Sequence, residues 1–132
     1  MTREGAVAAA AADLALADEC LAAARHEAAG GFCRRAVSSA YYAVFHAARA
    51  ALARAGLEPR SHAGVRHLFS LHLIRPGTFP AADARLLRHM QKDREEADYV
   101  HVAPFGPPEA AEAIDRAADF VARARQHVQS AP

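Results

Sequence analysis

The sequence has no tryptophan, few valine and isoleucine residues and two cysteines, and no apolar run in it approaches the ~20 residues needed to span a bilayer. Each scarcity excludes something. A sheet interior draws on β-branched residues, and here alanine, the best helix former, takes their place. In a hairpin turning at Gly30-Gly31, Cys33 lies beside the turn and Cys20 about 15 Å down the first helix, too far apart to pair easily. Unpaired cysteines suit a reducing compartment, and the alanine run Ala8 to Ala12 leads into Asp13, Asp18 and Glu19, unlike a secretory signal. A cytoplasmic protein without a membrane segment is expected.

Several chemistries are also missing. Gly30-Gly31 lacks the preceding strand and the lysine that make a phosphate loop. His62, His67 and His72 recur every five residues, about 140° per step, and so diverge around a helix. No Glu-x-x-His motif of the di-iron bundles occurs, and Ser38 and Ser39 have no neighbouring base. No metal, cofactor or covalent nucleophile is expected.

With 132 residues, 52% of them hydrophobic, the chain is sized for one domain (1–132) around a single core. Periodicity predicts an all-α protein. A first helix covers about Ala6 to Ala29, with Leu14, Ala17, Leu21, Ala24 and Ala28 in a narrow apolar stripe. A second, from about Phe32 to Ala55, is apolar on most of its circumference and should lie centrally. Ser61 caps a shorter third helix reaching Ile74. A fourth, from Ala81 to about Val100, turns Leu86, Leu87, Met90 and Ala97 inward and Arg85, Arg88, His89 and Lys92 outward. The fifth runs from about Glu109 to Val128. Short connections imply antiparallel neighbours.

The formal net charge of +1 hides an uneven distribution: residues 1–48 sum to −1, 49–94 to +6 and 95–132 to −4. A basic middle is a plausible phosphate footprint, with Arg85, Arg88 and Lys92 as candidate RNA contacts, because backbone cation contacts dominate nucleic-acid affinity. It is equally what solvated arginines on helix surfaces produce.

At the end of this basic stretch stands Arg94, with His101 seven residues on, in the segment DREEADYVH. On a continuous helix that step is about 700°, so both side chains would leave one face, roughly 10 Å apart along the axis. RNA supplies its own nucleophile, the 2′-hydroxyl. An enzyme for its cleavage needs a proton exchanger near neutral pH and a cation for the phosphoryl oxygens, which histidine and arginine provide without a metal. The bland alternative is an Arg94–Asp98 pair one turn apart, worth about 0.2–0.5 kcal/mol, with His101 at a helix end. Arg66 with His72 and Arg85 with His89 compete on spacing alone. A second polar group, Tyr42, His46 and Arg49 with Tyr41, is either a hydrogen-bonded layer that fixes helix register or part of a dimer seam.

Three blocks in order, SSAYYAVFHAARAAL, SHAGVRHLF and REEADYV, resemble the HEPN domain superfamily, above all its small stand-alone members, over roughly residues 10–128. The resemblance implies an up-and-down antiparallel four-helix bundle with an additional short helix. It further implies a homodimer whose two Arg-x4-6-His motifs line one cleft. Many such proteins are metal-independent ribonucleases, and several are toxins encoded beside a minimal nucleotidyltransferase antitoxin, which binds them or attaches AMP to a tyrosine near the motif. Carried over, Arg94 holds phosphate, His101 transfers a proton, Asp98 supports Arg94 and Tyr99 is the modifiable tyrosine. The alternative implied by the same family is a non-catalytic module that binds a nucleotidyltransferase or a nucleotide.

Overall fold

The computed structural model describes residues 1–101 and 104–130. Its helices are α1 (Arg3–Ala29), α2 (Cys33–Arg54), α3 (His62–Phe69), α4 (Ala81–Tyr99) and α5 (Pro107–Gln129), and no strand occurs among the described residues. One π turn, Ser70–Ile74, prolongs α3, so the third helical segment still ends at Ile74. Four long helices and one short one make the all-α bundle expected from the sequence.

Local chemistry fixes the ends of these helices. Gly31 adopts φ +85, the left-handed conformation that side chains with a Cβ resist. This lets the Phe32 N–H reach the Glu27 carbonyl at 2.8 Å and the Gly31 N–H reach that of Ala28 at 3.1 Å, the two closing bonds of a Schellman motif. Gly56 (φ +83) repeats the arrangement after α2, with Leu57 N–H on the Leu52 carbonyl at 3.0 Å. Ser61 caps α3 by accepting from the Gly64 N–H at 2.9 Å.

Helix α2 is the centre of the bundle and packs on α1, α5, α4 and α3. Alanine makes this possible: Ala36, Ala40, Ala43, Ala47, Ala48, Ala50 and Ala51 are all fully buried, and side chains this small let neighbouring helices approach closely on several sides. Larger residues fill the ends. Phe69, Phe79 and Phe120 cluster with ring centroids 5.1–6.1 Å apart, and Leu87, Met90 and Ala97 bury the inner face of α4. Arg85, Arg88, His89 and Lys92 are exposed on its outer face, and Leu86 is partly buried. Cys20 and Cys33 are both free. Among the described residues no helix is long and apolar enough to cross a membrane.

Two charged contacts tie α5 to its neighbours. Arg123 donates to the buried Asp83 at 2.6 Å, and Arg125 to Asp18 at 2.6 Å. Near the end of α5, His127 sits edge-on to Phe79 at 5.3 Å. Burial first, then the Arg54 charge, lower the His127 pKa below its ordinary value of 6.5. The folded state therefore binds fewer protons than the unfolded chain just below that pH, and stability is lost as pH falls through this window. Urea midpoints measured between pH 7.5 and 5.5 should decline in the wild type and decline less in His127→Gln; equal declines would show that His127 does not contribute.

Candidate functional site

The outward face of α2 between α1 and the α3/α4 pair carries polar residues on an otherwise apolar helix. Its neighbours sort along it in order. Near the start of α2, Arg34 donates to three carbonyls at the end of α4: Ala97 at 3.0 Å, Val100 at 2.8 Å and His101 at 2.7 Å. One turn on, the Ser38 hydroxyl makes a long 3.5 Å contact with Asp98 Oδ2. Next come Tyr41 and Tyr42, and over both rings lies the Arg94 guanidinium, 5.5 and 5.7 Å from the centroids. Finally His62, at the start of α3, packs on Phe45 with centroids 4.6 Å apart.

Arg94 is the hub. Nη1 donates to Asp98 Oδ2 at 3.1 Å, Glu95 lies 4.0 Å from Nη2, and Nε is buried without a partner among the described residues. Only 13% of its side chain is exposed. Burial works to lower its pKa, but Tyr42, Asp98 and Tyr41 together hold it above the ordinary value, so it stays a cation. Two aromatic faces below and one carboxylate beside it fix the plane of the fork.

Tyr41 is 1% exposed, and its hydroxyl lies 2.5 Å from His62 Nδ1. Burial pushes that hydroxyl up to about 12, against the opposing pull of Arg94 and Arg66. Burial also lowers His62, reinforced by the charges of Arg94 and Arg66 and opposed by Glu95. Arg66, one turn after His62 on α3, donates to Gln91 Oε1, and Gln91 Nε2 donates to Glu95 Oε1 at 3.2 Å. The result is a cluster of two arginines, one histidine and two carboxylates over an aromatic floor. Such a set can bind an oxyanion and exchange a proton beside it. No group of residues able to hold a metal ion occurs among those described.

The structure revises the sequence expectations at several points. Helix α4 ends at Tyr99 and Val100 is extended (φ −107, ψ 94), so His101 lies in the following turn, exposed, and not on the helical face of Arg94. The shared-face premise required a helix continuing through His101. The Arg34 side chain instead takes the carbonyls at the end of α4 and anchors the chain as it departs. Asp98 does pair with Arg94, and Tyr99 is 76% exposed at the helix end. The group Tyr42, His46 and Arg49 divides: Tyr42 faces Arg94, while His46 and Arg49 meet the buried Asp13 of α1 at 3.3 and 3.9 Å. Arg66 bonds Gln91, and His72 is exposed on the π turn. Arg85 and His89 share a groove between α4 and α5 with Arg116 and Arg123, and Arg88 and Lys92 are exposed outside it.

Sequence reasoning missed His62, Arg66 and Gln91 as members of the Arg94 site. One signal was available: His62 and Arg66 stand four apart on a helix capped by Ser61, and so share a face.

Comparison with known proteins agrees with the fold. A 111-residue match at 35% identity, covering 84% of this chain and 82% of the relative, is to a Methanocaldococcus jannaschii protein named "Putative toxin MJ0605". Shorter matches are to "UPF0332 protein PH1297" of Pyrococcus horikoshii (41% over 64 residues, 48% of this chain and 45% of the relative) and "UPF0332 protein glr0978" of Gloeobacter violaceus. The latter is 40% identical over 63 residues, 48% of this chain and half of the relative. The chain thus spans about half the length of these two relatives. The family model for the HEPN domain matches residues 13–127, which takes in α2, α3 and α4 whole, most of α1 and α5, and the cluster around Arg94: the chain belongs to the HEPN domain family.

Proposed function

We propose that this protein is a toxin-type, metal-independent endoribonuclease. The carrying observation is the position of Arg94, a cation whose fork is fixed by Asp98 and two tyrosine rings. In this reading Arg94 holds the phosphoryl oxygens and His101 exchanges a proton with the reacting RNA. The 2′-oxygen attacks phosphorus, the bond to the 5′-oxygen breaks, and a 2′,3′-cyclic phosphate and a 5′-hydroxyl result. Arg85, Arg88 and Lys92 on the exposed face of α4 add backbone contacts outside the cleft. The family and the toxin name of one relative support the toxin class.

Single-stranded RNA incubated with the purified protein in EDTA should be cut to cyclic-phosphate ends, and His101→Ala should lower the rate by about 10²-fold or more. Unchanged cleavage by that variant removes His101 from the reaction.

A second reading is a non-catalytic module that docks a minimal nucleotidyltransferase, favoured by the low exposure of the Arg94 side chain, 13%. Tyr99, exposed at the end of α4, is then the residue presented for modification, and two copies of the chain pair across the cleft. This reading expects a stable complex with a minimal nucleotidyltransferase and no RNA cleavage; cleavage without such a complex rules it out.

A further inference from the structure

The transphosphorylation described above moves two protons, one off the 2′-hydroxyl and one onto the departing 5′-oxygen, and one histidine alone does not account for both. We propose that His62 is a second catalytic histidine of this site, taking the 2′-hydroxyl proton on Nε2 while Arg94 holds the phosphate. The inference rests on the ribonuclease reading.

Position is the first argument. His62 and Arg94 reach the same pair of tyrosine rings from different helices: the imidazole lies 5.6 Å from Tyr41 and 6.0 Å from Tyr42, and the guanidinium 5.5 and 5.7 Å. Along α2, Arg94 falls between His62, beside Phe45, and the turn carrying His101, which Arg34 anchors. A phosphate on Arg94 thus has the His62 imidazole on one side, and the turn that carries His101 lies further along α2 on the other.

Orientation is the second. Nδ1 is engaged by the Tyr41 hydroxyl at 2.5 Å, and Nε2 has no hydrogen bond among the described residues. With Nδ1–H donated to the tyrosine oxygen, Nε2 presents its lone pair, and the Nδ1 bond strengthens as the ring gains a proton. Tyr41 then orients the ring and sets its tautomer, as the carboxylate does in a serine-histidine-aspartate triad, without supplying a negative charge. Its burial holds it neutral.

Charge state is the third. The groups facing His62 are Tyr41 and Tyr42 from α2, Arg66 from α3, and Arg94 and Glu95 from α4. Burial and the two arginines keep the imidazole neutral near pH 7, the form a base requires, against the weaker effect of Glu95. The proton balance closes: the 2′-hydroxyl proton goes to His62 Nε2, His101 gives one to the 5′-oxygen, and exchange with water restores both rings.

The test is a rate comparison on one RNA in EDTA for the wild type, Arg94→Ala, His62→Ala and His62→Gln, with folding of each checked by circular dichroism. His62→Ala should lose about 10²- to 10⁴-fold. His62→Gln, which keeps a polar side chain at Tyr41, should be equally slow. Added imidazole should restore part of the His62→Ala rate and none of the Arg94→Ala rate. If Arg94→Ala is inactive while either His62 variant cleaves at a near-wild-type rate, His62 is structural and the inference is wrong. Failure of imidazole to rescue a folded His62→Ala protein overturns it equally. If the wild type does not cleave at all, or Arg94→Ala cleaves normally, the underlying ribonuclease reading fails instead.

Discussion

Replacing Arg94 by alanine should slow RNA cleavage by about 10²- to 10³-fold, the usual cost of removing one preorganised donor to a developing oxyanion. The loss belongs to the chemistry and not to folding. The Arg94 side chain is only 13% exposed and rests on Tyr41 and Tyr42, so alanine also costs some stability, but Asp98 keeps about a quarter of its side chain exposed and can be solvated when its partner is gone. The variant should stay folded, with a lowered unfolding midpoint, while the rate collapses. Arg94→Lys separates charge from geometry, because lysine keeps the positive charge but loses the planar fork resting on Tyr41 and Tyr42. It should recover only a minor part of the activity, and full recovery would mean that charge alone suffices.

Phe120→Ala should produce the largest change in stability, a loss of about 3–5 kcal/mol. Phe120 is fully buried and joins α5 to the rest of the core through Phe69 and Phe79 at 5.8 and 6.1 Å. Alanine leaves a cavity there, because α2 behind it presents small side chains that cannot move in to fill the space. Domains of this size have only about 5–15 kcal/mol in total, so the variant should be near its folding limit. Urea titration should show a lower midpoint with an unchanged slope. A loss below about 1 kcal/mol would mean that α5 does not seal the core as described.

The helices were legible in the sequence because their signals are local. Gly30-Gly31, Gly56, Ser61 and Pro80 mark ends within one turn of where the chain stops or starts a helix, and the alternation of Leu86, Leu87, Met90 and Ala97 marks the inner face of α4. The central place of α2 was legible because it is apolar on most of its circumference. Contacts across the bundle were not. The Tyr41–His62 bond joins residues 21 apart and the Arg66–Gln91 bond residues 25 apart, and nothing local reveals either partner. Tyr42 and His46, one turn apart on one helix, look like one group until α1 and α4 arrive on opposite sides and divide them. Arg34, 67 residues before His101, takes the carbonyls at the end of α4, and His101 therefore lies beyond the last helical turn, where helical spacing no longer applies.

The most direct measurement is end-group analysis of a single labelled RNA incubated in EDTA with the wild type and with Arg94→Ala, side by side. The account predicts 2′,3′-cyclic phosphate and 5′-hydroxyl ends from the wild type and almost none from the variant. Intact RNA in both reactions, or equal cleavage in both, would contradict it.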